Sequence, residues 1–351
     1  MRRLLLNLLT LSATVVLLAV LTVPALIVAG GPHESQPALA DASASGHLFG
    51  VAVDPWHLDD WSRAVGARPQ LVAKFQAFSR RDSLLPYMAE AQRQGATALM
   101  ISWEPWRPVP AARGRAAQFK PQRGYRNADI ARGDHDAYIT RFARTLARFH
   151  GVVYLRYAHE MNGIWYPWTH DARAYRRAWR HVVRLVRRAG ARNVRFVWST
   201  NPNLYETPAF WMRRLRRYWP GARYVDIVGS TTIDFGGRKD YGIDRFEPRL
   251  AALRRVFRKP LMITEANTDY AGSVEWLRDF RDMLRRAPYI RAVVWSQLPS
   301  RGKAQMPGAG VLDWDVTRHP AAAGVLRQIV LDGSGHNEAR PPPRGPRSAL
   351  P

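Results

Sequence analysis

The sequence predicts a single-domain (β/α)8 barrel, the TIM-barrel form of the α/β class, and three observations carry that expectation. Short apolar runs with strand character recur eight times between residues 48 and 296, amphipathic helical patterns separate most of them, and no glycine-rich dinucleotide or phosphate loop follows the first run. Near-continuous apolar strands alternating with amphipathic helices imply a parallel sheet covered on both faces. Eight such units in about 285 residues fit a closed barrel better than an open sheet. The missing glycine-rich loop argues against a doubly wound nucleotide fold.

The expected strands lie at residues 48–53, 71–75, 98–103, 152–157, 194–198, 224–229, 261–264 and 292–296. Two of the intervening helices read most clearly. Over residues 172–189, Tyr175, Ala178, Trp179, Val182, Val183 and Val186 share one face and arginines the other, with Asp171 placed to cap the start and Gly190 the end. Residues 274–286 repeat the pattern with Val274, Leu277, Phe280 and Leu284. The segment from Glu104 to Asp134 reads as a long loop after the third strand, where barrels build substrate sites.

Outside the barrel, expected over residues 47–332, the sequence changes character. Met1-Arg2-Arg3 is a short basic start, and Leu4 to Ala29 is almost unbroken apolar sequence, long enough to cross a bilayer. Pro37-Ala38-Leu39-Ala40 and Ala42-Ser43-Ala44 offer small-residue cleavage sites. Residues 1–29 therefore read as a signal peptide or a membrane anchor, 30–46 as a linker, and the remainder as exported: secreted, or held at the outer face of the cytoplasmic membrane. Residues 333–351, with Pro341-Pro342-Pro343, read as a disordered tail.

The formal net charge is +25, almost all from arginine, since only five lysines occur. Such charge attracts acidic polysaccharide or an anionic membrane surface. No nucleic-acid motif accompanies it, so nucleic acid is not an expected partner. The arginine pairs, such as Arg187-Arg188 and Arg216-Arg217, fall in helical stretches and read as outer helix faces. There is no cysteine, so the fold needs no disulfide. A monomer without a cofactor is expected.

Polar residues cluster where the strands end, which in a barrel brings them to one rim. His159-Glu160 follows strand four, Thr264-Glu265 strand seven, Trp103-Glu104-Pro105-Trp106 strand three, and Asn201 strand five. Two carboxyl groups on one rim suit cleavage of a glycosidic bond, one protonating the leaving oxygen while the other attacks the anomeric carbon or activates water. Trp165, Tyr166 and Trp168 add flat faces for sugar rings. A zinc reading of His159-Glu160 fails on spacing, because the helical motif needs a second histidine where Gly163 stands.

The run Arg156-Tyr157-Ala158-His159-Glu160-Met161-Asn162-Gly163-Ile164-Trp165-Tyr166-Pro167-Trp168 resembles the acid/base segment of glycoside hydrolase family 26, the β-mannanases and some β-glucanases. Lys259-Pro260-Leu261-Met262-Ile263-Thr264-Glu265 resembles its nucleophile strand. The resemblance spans about residues 47–330 and implies a (β/α)8 fold, hydrolysis with retention and no metal. It implies Glu160 as acid/base and Glu265 as nucleophile. It also implies His159 hydrogen-bonded near the nucleophile, and Trp165 and Trp295 lining sugar subsites. Trp103, Glu104, Trp168 and Asn201 complete the expected substrate-binding set.

Two departures stand out. Glu104 occupies a place where the family's mannanases tend to carry histidine, a form closer to the β-glucan-acting members. After strand six the family's tyrosine is absent from Gly229-Ser230-Thr231-Thr232-Ile233-Asp234, with Tyr241 the nearest substitute. The leading expectation is an endo-β-glycanase on β-1,4-linked or mixed-linkage mannan or glucan. The alternative is a non-hydrolytic polysaccharide-binding or export-associated protein on a degenerate hydrolase barrel.

Overall fold

The computed structural model describes residues 46–80, 82–109, 119–234, 241–268, 273–297 and 313–333. Its strands are β1 (Leu48–Val51), β2 (Leu71–Ala77), β3 (Ala98–Glu104), β4 (Val152–Tyr157), β5 (Val194–Thr200), β6 (Ile227–Ile233), β7 (Leu261–Asn267) and β8 (Ile290–Trp295). They pair in parallel and in sequence order, and β1 closes on β8 with Leu48 opposite Ala292 and Val51 opposite Trp295. The helices are α1 (Leu58–Val65), α2 (Leu85–Arg93), α3 (Asn127–Arg132), α4 (Asp136–Leu146), α5 (Ala172–Arg188), α6 (Pro208–Tyr218), α7 (Ile243–Phe257), α8 (Ser273–Arg286) and α9 (Pro320–Gly333).

The expected barrel is therefore present. All eight strands fall at or next to the expected runs, with one shift: the sixth begins at Ile227, because Ala222–Tyr224 forms a 3-10 turn. The long segment after β3 is not all loop, since it holds α3. The last helix runs one residue past the expected boundary, to Gly333. The apolar N-terminal segment, most of the linker and the tail from residue 334 lie outside the described residues. Among the described residues no helix is long and apolar enough to cross a membrane.

The two-residue repeat of the strands sorts side chains into two cores. Phe49, Leu99, Leu155, Phe196, Val228 and Val293 face the helices in a large outer layer. Leu71, Met100, Tyr154, Val197, Met262 and Val294 fill the barrel interior. Helix α5 shows how the outer layer forms. Asp171 accepts from the main-chain N–H groups of Arg173 and Ala174, both at 2.9 Å, a cap worth about 1 kcal/mol. Tyr175, Trp179, Val182 and Val186 then bury completely, each apolar side chain contributing about 1.5–3 kcal/mol.

The interior changes chemistry from one end to the other. Along β3 the inward residues run Met100, Ser102, Glu104; along β5 Val197, Ser199, Asn201; along β7 Met262, then Thr264. An apolar plug gives way to hydroxyls and then to carboxylates at the C-terminal end, where barrels place their chemistry. Gly229 fits this crowding: a Cβ there would sit 2.7 Å from Thr264 Cγ2 and 3.0 Å from Ser199 Cβ, beside the 2.8 Å Ser199–Thr264 hydroxyl bond.

Candidate active site

Strict alternation would turn Glu265 outward, since Thr264 already faces in. The ladder prevents this. Ser230 pairs with Ile263 but Thr231 with Glu265, so Thr264 is an extra residue, and the pairing with β8 shifts between Ile263 and Ala266 as well. A bulge of this kind re-aims the side chain that follows it. Glu265 Oε1 thereby meets Arg156 Nη1 inside the barrel at 2.7 Å.

Arg156 is wholly buried in β4 and also donates to Ser102 Oγ at 3.1 Å. Its Nε and Nη2 have no hydrogen-bond partner among the described residues. A fully buried arginine persists only when paired, and Glu265 is its carboxylate. Burial pushes the Glu265 carboxyl up, Arg156 opposes that shift and the nearby Glu160 adds to it.

Glu160 reaches the same region from the turn after β4. Ala158 and Glu160 take left-handed backbone angles, with φ of 44° and 51°, a conformation that costs a non-glycine residue about 1–3 kcal/mol. The Glu160 N–H is held by Ser199 O at 2.8 Å. Three donors fix its carboxylate: Trp165 Nε1 on Oε2 at 2.8 Å, and Asn201 Nδ2 at 3.1 Å and Thr231 Oγ1 at 2.5 Å on Oε1. Thr231 lies directly opposite Glu265 in the β6–β7 ladder, where strands are about 4.8 Å apart. One threonine thus ties the Glu160 carboxylate to the strand position beside Glu265.

Glu104, at the end of β3, is 8% exposed and accepts from Trp106 Nε1 at 3.1 Å. Burial pushes its carboxyl up to about 7, against the pull of Trp106 and Arg156, and Glu265 adds a smaller upward push. Desolvation, rather than a like charge, is the main cause. Among the described residues no cluster of three or more His, Asp or Glu is arranged to hold a metal ion.

The aromatic residues divide differently from the expectation. Trp165 is half-buried, with its ring against Gly163 and its N–H on Glu160. Three other tryptophans expected to bind sugar offer no face to a ligand. Trp103 is fully buried on the outward parity of β3, stacked on Phe142 at 4.3 Å and donating to Tyr138 OH. Trp295 is fully buried in the outer layer beside Val293. Trp168 is 1% exposed, stacked behind Tyr166 at 4.3 Å and donating to His159 O.

His159 also departs from expectation. It is fully buried, and its Nε2 meets Tyr166 OH at 2.9 Å rather than Glu265. Burial holds its imidazole well below the usual range, with Arg156 reinforcing the shift, so it stays neutral. Tyr241 contacts Tyr205 OH at 2.9 Å, and the described partner of Glu265 is Arg156. The sequence reading missed Arg156 and Thr231. A charged residue inside the otherwise apolar run Val152 to Tyr157 is a signal for the first; a threonine in a strand carries none.

Glu160 and Glu265 thus share the C-terminal mouth of a closed parallel barrel, a pair of carboxyl groups of the kind that glycoside cleavage uses. The Glycosyl hydrolase family 26 model matches residues 136–268, a span holding Arg156, Glu160, Thr231 and Glu265. Endoglucanase H of Acetivibrio thermocellus is 25% identical over 286 residues, covering 77% of this chain and 28% of that protein. The beta-1,3-xylanase TXYA of a Vibrio species is 28% identical over 228 residues, covering 63% of this chain and 45% of that one. The chain thus spans less than half the length of these curated relatives. Among solved structures, a GH26 beta-mannanase from Bacteroides ovatus matches with a TM-score of 0.58 at 17% identity, over 84% of this chain and 91% of that one. GH26C from a Muricauda species matches at 0.63 and 14%, over 84% and 88%. Over residues 136–268 the chain is similar to glycosyl hydrolase family 26, and it shares the barrel fold of these solved structures.

Proposed function

We propose that this barrel is an endo-β-glycanase that cleaves β-linked glucan or mannan by double displacement with retention. The observation that carries the proposal is the convergence of Glu160 and Glu265 through Thr231. In the first step Glu265 attacks the anomeric carbon, while Glu160 gives its proton to the departing glycosidic oxygen. In the second step Glu160 takes a proton from water, whose oxygen displaces Glu265 from the sugar. Arg156 holds the Glu265 carboxylate in line and stabilises its charge as the covalent bond breaks. Trp165 presents a ring face beside Glu160.

The relatives' names cover glucan, β-1,3-xylan and β-mannan. Glu104 favours glucan in this reading, because it stands where the resembled family's mannanases tend to carry histidine; its carboxyl, pushed up to about 7, can donate to a sugar hydroxyl as well as accept from one. Incubation of the purified chain with mixed-linkage β-glucan, mannan and β-1,3-xylan, followed by a reducing-end assay, tests the reading. Glu160→Ala and Glu265→Ala should each abolish release. Retention of polymer by the wild type without cleavage would favour the non-hydrolytic alternative instead.

The reading includes export, resting on the basic start and apolar run of residues 1–29. Cell fractionation with mass spectrometry of the N-terminus tests it. A full-length cytoplasmic chain would contradict it.

A further inference from the structure

Residues 172–224 carry fourteen arginines and a single carboxylate, Glu206. Elsewhere on the surface the arginines find acids: Arg93 pairs with Glu90, Arg126 and Arg132 with Asp129, Arg281 and Arg285 with Asp332. On the flank formed by α5 and α6 only two do so among the described residues: Arg214 pairs with Glu206, and Arg187 lies 3.9 Å from Asp226. Arg173, Arg177, Arg184 and Arg188 are exposed, share one face of α5, and have no carboxylate partner among the described residues.

Other guanidinium groups on this flank are held by main-chain carbonyls, which fix them without cancelling their charge. Arg176 donates to Arg217 O, Arg180 to Pro220 O at 2.7 Å and Arg187 to Arg223 O at 3.0 Å. These bonds join α5 to α6 and the turn after it, making the two helices one cationic surface. At its far end Arg187, Arg192, Arg195 and Asp226 line a hollow of about 250 Å³. Arginines in the last turn of a helix are favoured by its dipole, but Arg173, Arg177 and Arg184 lie outside the last turn and need another reason.

We infer that this flank binds an anionic polysaccharide, carboxylated or sulfated, along the stripe of α5. The stripe is about 25 Å long at about 1.5 Å per residue, a line of planar, bidentate donors suited to regularly spaced acidic groups. A lipid surface fits less well, because helices that lie on membranes insert apolar side chains and α5 exposes no large apolar residue. The exposed Phe210 at the start of α6 lies under the guanidinium groups of Arg213 and Arg214. Helix α5 follows directly on the turn that carries Glu160, so a polymer on the stripe approaches the catalytic rim. The choice of polysaccharide rests on the glycanase reading; the anionic charge of the ligand does not.

The test uses the full chain and measures binding to polygalacturonate and heparin, with neutral β-glucan, anionic phosphatidylglycerol vesicles and duplex DNA as comparison arms. The variant Arg177→Glu/Arg184→Glu/Arg188→Glu removes stripe residues that make no described side-chain bonds. The control Arg254→Glu/Arg255→Glu/Arg278→Glu changes net charge equally on α7 and α8. The stripe variant should bind the acidic polysaccharides at least tenfold more weakly while the control binds like wild type, and 300 mM salt should abolish the difference. Both variants should release reducing ends from neutral β-glucan like wild type, which separates this proposal from the catalytic one. Equal losses in the two variants, or tighter binding to vesicles or DNA than to the polysaccharides, would overturn it.

Discussion

Arg156 and Glu265 form an ion pair 2.7 Å apart inside the barrel, with the arginine side chain fully buried and the glutamate side chain 17% exposed. The pair joins β4 to β7 at the C-terminal end of the barrel interior. Removing one partner of a buried pair strands the other, at a cost of about 3–5 kcal/mol. Arg156→Leu should lower stability by that order and cut kcat at least a hundredfold. Arg156 is one of the groups holding the Glu265 carboxyl down, so the acid limb of kcat/KM should move to higher pH. Arg156→Lys should recover part of both. Urea unfolding and a pH–rate profile measure these effects.

Thr231 donates to Glu160 at 2.5 Å and stands opposite Glu265. Thr231→Val keeps the shape and removes the donor. A hydrogen bond to a charged group contributes about 1.5–3 kcal/mol, so kcat/KM should fall about tenfold or more. Thr231→Ser should be close to wild type. Steady-state kinetics on mixed-linkage β-glucan decide between them.

Glu104 links pH to stability. Its carboxyl is pushed up to about 7 in the fold, by burial first, against an ordinary value of 4.5. The folded state therefore holds a proton that the unfolded state has lost. Its contribution to stability is present below about 4.5 and is lost as pH rises to about 7, by about 3 kcal/mol. Glu104→Gln should flatten this part of the stability profile, seen as a smaller fall in melting temperature between pH 4.5 and 7.

The buried tryptophans should separate structure from function. Trp103 faces the helices, so Trp103→Ala should cost about 3–5 kcal/mol, while the milder Trp103→Phe leaves KM unchanged. Trp165→Ala should raise KM and lower kcat together, because it removes both a ring face and a donor to Glu160.

These contrasts mark how far the sequence could be read. The barrel and the rim position of Glu160 and Glu265 were legible because strand periodicity and strand-end polarity are local properties. The roles of Trp103, Trp168 and Trp295 were not, because strand parity and the stacking of one loop residue behind another decide whether a tryptophan faces sugar or core. Glu265 needed more: plain alternation would have turned it outward, and the bulge at Thr264 that turns it inward arises from pairing with β6 and β8. The His159–Tyr166 contact depends on the folded turn after β4, which begins with two left-handed residues, Ala158 and Glu160, that no local pattern announces.

The central claim, that Glu160 and Glu265 work as an acid/base and a nucleophile, is tested most directly by the anomeric configuration of the first product. Proton NMR of mixed-linkage β-glucan hydrolysis should show the β-anomer appearing first, with the α-anomer growing in by mutarotation. Initial release of the α-anomer would mean direct displacement by water and would contradict the covalent role of Glu265.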